Sequence, residues 1–133
     1  MTTVFVNGTF DILHSGHVRL LNTARSLGTY LIVAIDSDER VAKLKGPTRP
    51  INTMGERKAM LSNLKAVDEV QIFDSDLELA MLVNQFRPAV MMVGSDWKGK
   101  TVIGSEYAKR IEYFERIDEH STTNIIQRII SRG

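Results

Sequence analysis

Short apolar runs and helix-spaced apolar residues alternate along this chain. Residues 4–7 (VFVN) form an apolar run that stops at Gly8, the pattern of a buried strand. Val18, Leu20, Leu21, Ala24 and Leu27 follow at helical spacing, and Gly28 suits a helix stop. Residues 30–35 (YLIVAI) are apolar without alternation and partly β-branched, as in a strand covered on both faces of a parallel sheet. Residues 43–50 (KLKGPTRP) read as a loop from their Gly and Pro. Residues 53–64 are helical, with Met54, Ala59, Met60 and Leu64 offered to a core. A strand over 67–73, a helix over 76–86 and a second buried strand over 89–93 (AVMMV) follow, the last ending at Gly94. Residues 111–114 suggest a fifth strand, and Ser121 caps a last helix running to Ile130.

This alternation predicts an α/β fold: a Rossmann-like, doubly wound, parallel five-stranded sheet with helices on both faces. No internal repeat or linker interrupts it, so residues 1–133 read as a single domain. In such sheets ligands bind at the carboxyl ends of the strands, near the switch point in strand order. Three polar segments fall there: 7–17, 36–49 and 94–100.

Composition narrows the classes of function. The net charge is +1, which gives no general attraction to nucleic acid or to a membrane surface. There is no cysteine, which excludes disulfides and thiolate metal sites. The N-terminus (MTTVFVNG) is not a signal peptide, and no apolar stretch approaches the ~18 residues of a membrane span. The chain reads as cytoplasmic.

The richest chemistry lies in GTFDILHSGH, residues 8–17. Gly8 allows a turn or a close approach of the backbone to a ligand. Gly16 opens the next helix, whose N–H groups and dipole favour an anion. His14 and His17 add imidazole donors beside that site. Together they make a phosphate cradle without the GxxxxGK[ST] loop, which the chain lacks. Simple helix capping is the alternative reading of the pair. A shared metal is a weaker option, because no third ligand is evident nearby.

GTFDILHSGH resembles the motif of the HxGH nucleotidyltransferases, the cytidylyltransferase-like superfamily. AIDSDERVAKLKGPTRPIN, ERKAML, AVDEV, VGSDWKGK and STTNII extend the resemblance along nearly the whole chain. They are similar to one branch, the heptose-1-phosphate adenylyltransferases and the glycerol-3-phosphate cytidylyltransferases. The resemblance implies transfer of a nucleotidyl group from an NTP to a small phosphorylated sugar or polyol, releasing pyrophosphate. It implies Mg²⁺ carried by the nucleotide phosphates rather than a protein metal site, and often a homodimer, with 66–70 and the preceding helix as a candidate interface.

The resemblance assigns His14, His17, Lys45 and Arg57 to catalysis on the phosphates, with Lys43 as a substitute for Lys45. Gly8, Thr9, Phe10, Gly16, Gly94, Asp96, Trp97, Arg116, Ser121 and Thr122 fall to the nucleotide. Trp97 serves as a base platform or simply as a structural residue. Asp11, Asp38 and Arg49 fall to the acceptor, with helix capping the other reading of Asp38. KLKGPTRPIN, VIGSE and STTNII favour ATP and a heptose 1-phosphate-like acceptor. DWKGK and the spacing of Arg116 from STT favour CTP and glycerol 3-phosphate. A nucleotide-binding module without turnover is a further alternative. The kinase domain fused to some heptose adenylyltransferases is absent from the sequence, which suggests a stand-alone transferase.

Overall fold

A computed structural model describes residues 1–115 and 122–133. The elements run β1 (Thr3–Gly8), α1 (Ser15–Ser26), β2 (Tyr30–Asp36), α2 (Asp38–Lys45), α3 (Met54–Ser62), β3 (Glu69–Phe73), α4 (Asp76–Phe86), β4 (Val90–Gly94), β5 (Arg110–Phe114) and α5 (Thr122–Arg132). Single 3₁₀ turns at Ser95–Trp97 and Ser105–Tyr107 lie between β4 and β5. All five strands are parallel, in the order β3-β2-β1-β4-β5. This is the expected Rossmann-like α/β sheet.

The unalternating strands are explained by burial on both faces. Val4, Val6, Leu31, Val33 and Ile35 point to one side and pack with Leu21 and Ala24 of α1 and Leu61 of α3. Phe5, Ile32, Ala34 and Met91 point to the other and pack with Leu79 and Val83 of α4. Each large side chain removed from water in this way contributes about 1.5–3 kcal/mol. Among the described residues, no helix is long and apolar enough to cross a membrane.

One helix was not foreseen. Residues 43–45 end α2 rather than open a loop, and Lys45 is its last residue. Apolar spacing could not reveal α2, because Val41 is its only buried residue and Leu44 is exposed. The available signal was electrostatic. Ser37 caps the helix, Asp38 and Glu39 occupy the first turn, and Lys43 and Lys45 the last, which complements the helix dipole.

Gly28 does follow the last turn of α1 as a helix stop, and close contact requires a glycine there. A Cβ there would stand 2.5 Å from the Thr2 carbonyl oxygen. The glycine lets the turn into β2 pass against the start of β1, where the Thr29 and Tyr30 amides both donate to that same oxygen.

Candidate active site

The chain leaves β1 for β2 and β3 on one side, then crosses back to place β4 on the other side. The strand order reverses at the β1–β4 boundary, and loops leaving these two strands diverge there. A cleft of about 420 Å³ opens at this point.

His14 is the N-cap of α1, and its Nδ1 accepts a hydrogen bond from the Gly16 amide at 3.1 Å. An accepting Nδ1 leaves the proton of a neutral imidazole on Nε2, which makes that nitrogen a donor. The His14 and His17 rings stack with centroids 3.8 Å apart and planes at 27°. Phe10 backs His17 at 5.0 Å. Phe10 itself has φ +50°, a left-handed conformation that costs a bulky residue energy and recurs at functional sites. That turn folds its ring over Gly8, where a Cβ would meet Phe10 Cε2 at 2.9 Å. The capping and phosphate readings of the histidines are therefore compatible: one nitrogen caps, and the other is set as a donor.

Arg57 and Asp11 hold this loop from behind. Arg57 is 1% exposed. Its Nε donates to the Asn52 carbonyl at 3.1 Å, Nη1 to the Thr9 carbonyl at 2.9 Å and Nη2 to Asp38 Oδ1 at 2.8 Å. It is not among the cleft-lining residues. Its placement differs from the expected one against the phosphates, because all of these bonds are to protein. Asp38 lies outside the cleft as well, accepting from Arg57 and from the Met54 amide that opens α3. It sits one residue past the Ser37 cap of α2 and takes the first amide of α3, a helix that Thr53 caps. Asp11 reaches the cleft wall but is 2% exposed. Its carboxylate accepts from the Ile51 and Asn52 amides, both at 2.8 Å, and from Arg49 Nε at 3.4 Å. Those donors tie the first loop to residues 49–52 and engage oxygens that were expected to face acceptor hydroxyls.

The remaining candidates converge on the cleft. Gly8, Thr9, Phe10, Gly16 and Gly94 line it, as do Lys45, Arg49, Trp97 and Thr122. The Thr122 hydroxyl donates to the Ile12 carbonyl at 3.4 Å, joining α5 to the histidine loop. Asp96 is not among the lining residues. Arg116 and Ser121 lie outside the described residues.

Asp36, Arg19 and Phe114 are among the lining residues to which sequence reasoning gave no role. Asp36 is the first polar residue after the apolar run of β2 and Phe114 ends β5, so strand-end position was the available signal. Arg19 lies two residues past His17, with its guanidinium carbon 5.4 Å from the Phe114 ring centroid. Asp36 Oδ2 accepts from Arg40 Nε at 3.0 Å, and Arg40 Nη2 donates to Asp76 at 2.5 Å. Burial pulls the Arg40 pKa down, but the bonds to Asp76 and Asp36 outweigh it and leave the pKa raised.

A switch-point cleft with a histidine pair at a helix N-terminus, flanked by Lys45 and Arg49, gathers the donors and cations that favour an anion. The model of the family described as "Cytidylyltransferase-like" matches residues 5–128, and the chain belongs to that family. It is 48% identical over 126 residues to the bifunctional protein HldE of Campylobacter concisus (strain 13826), covering 95% of this chain and 26% of that protein. It is 47% identical over 126 residues to the bifunctional protein HldE of Helicobacter hepaticus (strain ATCC 51449 / 3B1), with the same two coverages. The chain thus spans about a quarter of the length of these curated relatives. Among solved structures, the lipopolysaccharide core biosynthesis protein from Thermoplasma volcanium GSS1 superposes with a TM-score of 0.69 at 25% identity, over 86% of this chain and 98% of that one.

Proposed function

We propose that this protein transfers an adenylyl group from ATP to a heptose 1-phosphate-like sugar phosphate, releasing pyrophosphate. The observation that carries the reading is the His14–His17 stack at the head of α1, with His14 Nε2 set as a donor. An oxygen of the acceptor phosphate attacks the α-phosphorus. A new P–O bond forms, the bond to the bridging oxygen of the β-phosphate breaks, and its electron pair leaves with pyrophosphate. The acceptor is already an anionic nucleophile, so the site needs alignment and charge stabilisation rather than a base. His14, His17 and Lys45 supply the donors. Arg49 holds the acceptor phosphate, and Trp97 and Thr122 hold the nucleoside side.

In this reading the nucleotide phosphates would bring their own cation. Among the described residues no group of three His, Asp or Glu side chains could hold a metal ion. Mg²⁺ bound to the triphosphate would neutralise charge on the departing pyrophosphate. The HldE relatives support ATP and heptose 1-phosphate as the pair, and the lipopolysaccharide neighbour supports a role in nucleotide-sugar synthesis for surface polysaccharide. The reading includes a homodimer working in the cytoplasm.

The test is pyrophosphate release with Mg²⁺, using ATP or CTP with heptose 1-phosphate or glycerol 3-phosphate. Turnover confined to ATP and the heptose is expected. Turnover with CTP and glycerol 3-phosphate would replace this reading by the cytidylyltransferase one, and nucleotide binding without release in any pairing would replace it by a non-catalytic module.

A further inference from the structure

The cleft has two chemically distinct halves about the histidine pair. Trp97 and Phe114, on the β4–β5 side, bring aromatic side chains that suit a nucleobase, with the Arg19 guanidinium over the Phe114 ring. Asp36, Lys45 and Arg49, on the β2–α2 side, are all charged. A phosphorylated polyol suits this second half: its phosphate meets the cations, and its hydroxyls need acceptors. Asp36 has the properties of such an acceptor. It ends β2 beside Ile35, which pairs with Gly8 of β1, so it stands one step from the start of the histidine loop. Its carboxylate is fixed by Arg40 through Oδ2, and no hydrogen bond among the described residues takes Oδ1. Arg40 is in turn held by Asp76 and lies 5.3 Å from the Phe73 ring centroid. The carboxylate is thus oriented before any ligand arrives, and Arg40 offsets its charge beside a phosphate.

We infer that Asp36 is a specificity-determining residue that accepts hydrogen bonds from the hydroxyls of the acceptor sugar. This rests on the transferase reading of the cleft, but it is tested by binding, which needs no turnover. Calorimetric titration of the wild type, Asp36→Ala and Asp36→Asn would use three probes: heptose 1-phosphate, methyl phosphate and α,β-methylene-ATP with Mg²⁺. Wild type should bind the heptose phosphate at least about tenfold tighter than methyl phosphate. Asp36→Ala should weaken the heptose phosphate about 10- to 100-fold, the size of one or two lost charge-assisted hydrogen bonds. Methyl phosphate and the ATP analogue should bind the variants as they bind wild type. Asp36→Asn keeps the volume and an oxygen for Arg40, so it reads out the carboxylate if the alanine variant fails to fold. Unchanged binding of the heptose phosphate to the variants would overturn the assignment. Wild-type binding of methyl phosphate as tight as that of the sugar would overturn it too. A parallel loss for the ATP analogue would move Asp36 to the nucleotide, and so also overturn it. Failure of the transferase reading would register separately, as absence of pyrophosphate release by wild type with sugar binding intact.

Discussion

Residues with similar sequence credentials have different roles in the folded chain. His17 faces the cleft, stacked on His14 with the Phe10 ring tilted beside it, whereas Arg57 is buried behind the cleft. His17→Ala should therefore melt near the wild-type temperature and lose about 100- to 1000-fold in kcat, the usual cost of one transition-state donor. Steady-state pyrophosphate release checks this, and near-wild-type turnover would remove His17 from the chemistry. Arg57→Ala should behave in the opposite way. It removes the Arg57 donor from the Thr9 and Asn52 carbonyls and leaves Asp38 with the Met54 amide, at a cost on the order of 3 kcal/mol. Urea denaturation reads this directly. A fully stable but inactive Arg57→Ala would instead put the guanidinium on the phosphates. Sequence reasoning named both residues, because residue type and motif position are legible in one dimension. It could not tell a ligand-facing cation from a buried one, since that depends on a partner 48 residues away, Thr9.

Most elements formed where the apolar period predicted them, but α3 turns Arg57 and Leu61 inward and leaves Ala59 and Met60, two of the residues offered to a core, exposed. The five strands stand out because both faces of each central strand are covered. Helix α2 was missed because it buries one side chain. Close contact between elements adds constraints that periodicity does not carry. Gly28→Ala would push a Cβ against the Thr2 carbonyl, a backbone atom that cannot rotate away. The expected loss is about 1–3 kcal/mol, as for other overpacked sites. A thermal melt checks it, and a gain in stability of the kind usual for Gly→Ala at a relaxed site would contradict the contact.

For the whole molecule, the two core clusters contain no residue of α5 among those described, yet Thr122 and Thr123 line the cleft. Core and nucleotide site should then separate. A chain ending at Glu115 should unfold cooperatively within a few degrees of the full chain. For the full chain, α,β-methylene-ATP with Mg²⁺ at a hundredfold excess over Kd should add about 2.7 kcal/mol of stability. The shortened chain should gain little from the same ligand concentration. Equal stabilisation of both would place the nucleotide away from α5.

The sequence by itself determined the class of fold and the centre of the site. Strand burial, helix period and a Gly-rich histidine loop are local properties, written in neighbouring residues such as Val4–Val6 and His14–His17. Only the tertiary structure decided which charged side chains meet the cleft. It turned Arg57, Asp38 and much of Asp11 toward protein partners, and it brought Asp36, Arg19 and Phe114 to the wall. Orientation of a charge depends on which distant donors and acceptors compete for it, and a buried charge must satisfy those partners before any ligand. That competition is set by the packing of β1, β2 and α3 in space, and the order of residues does not display it.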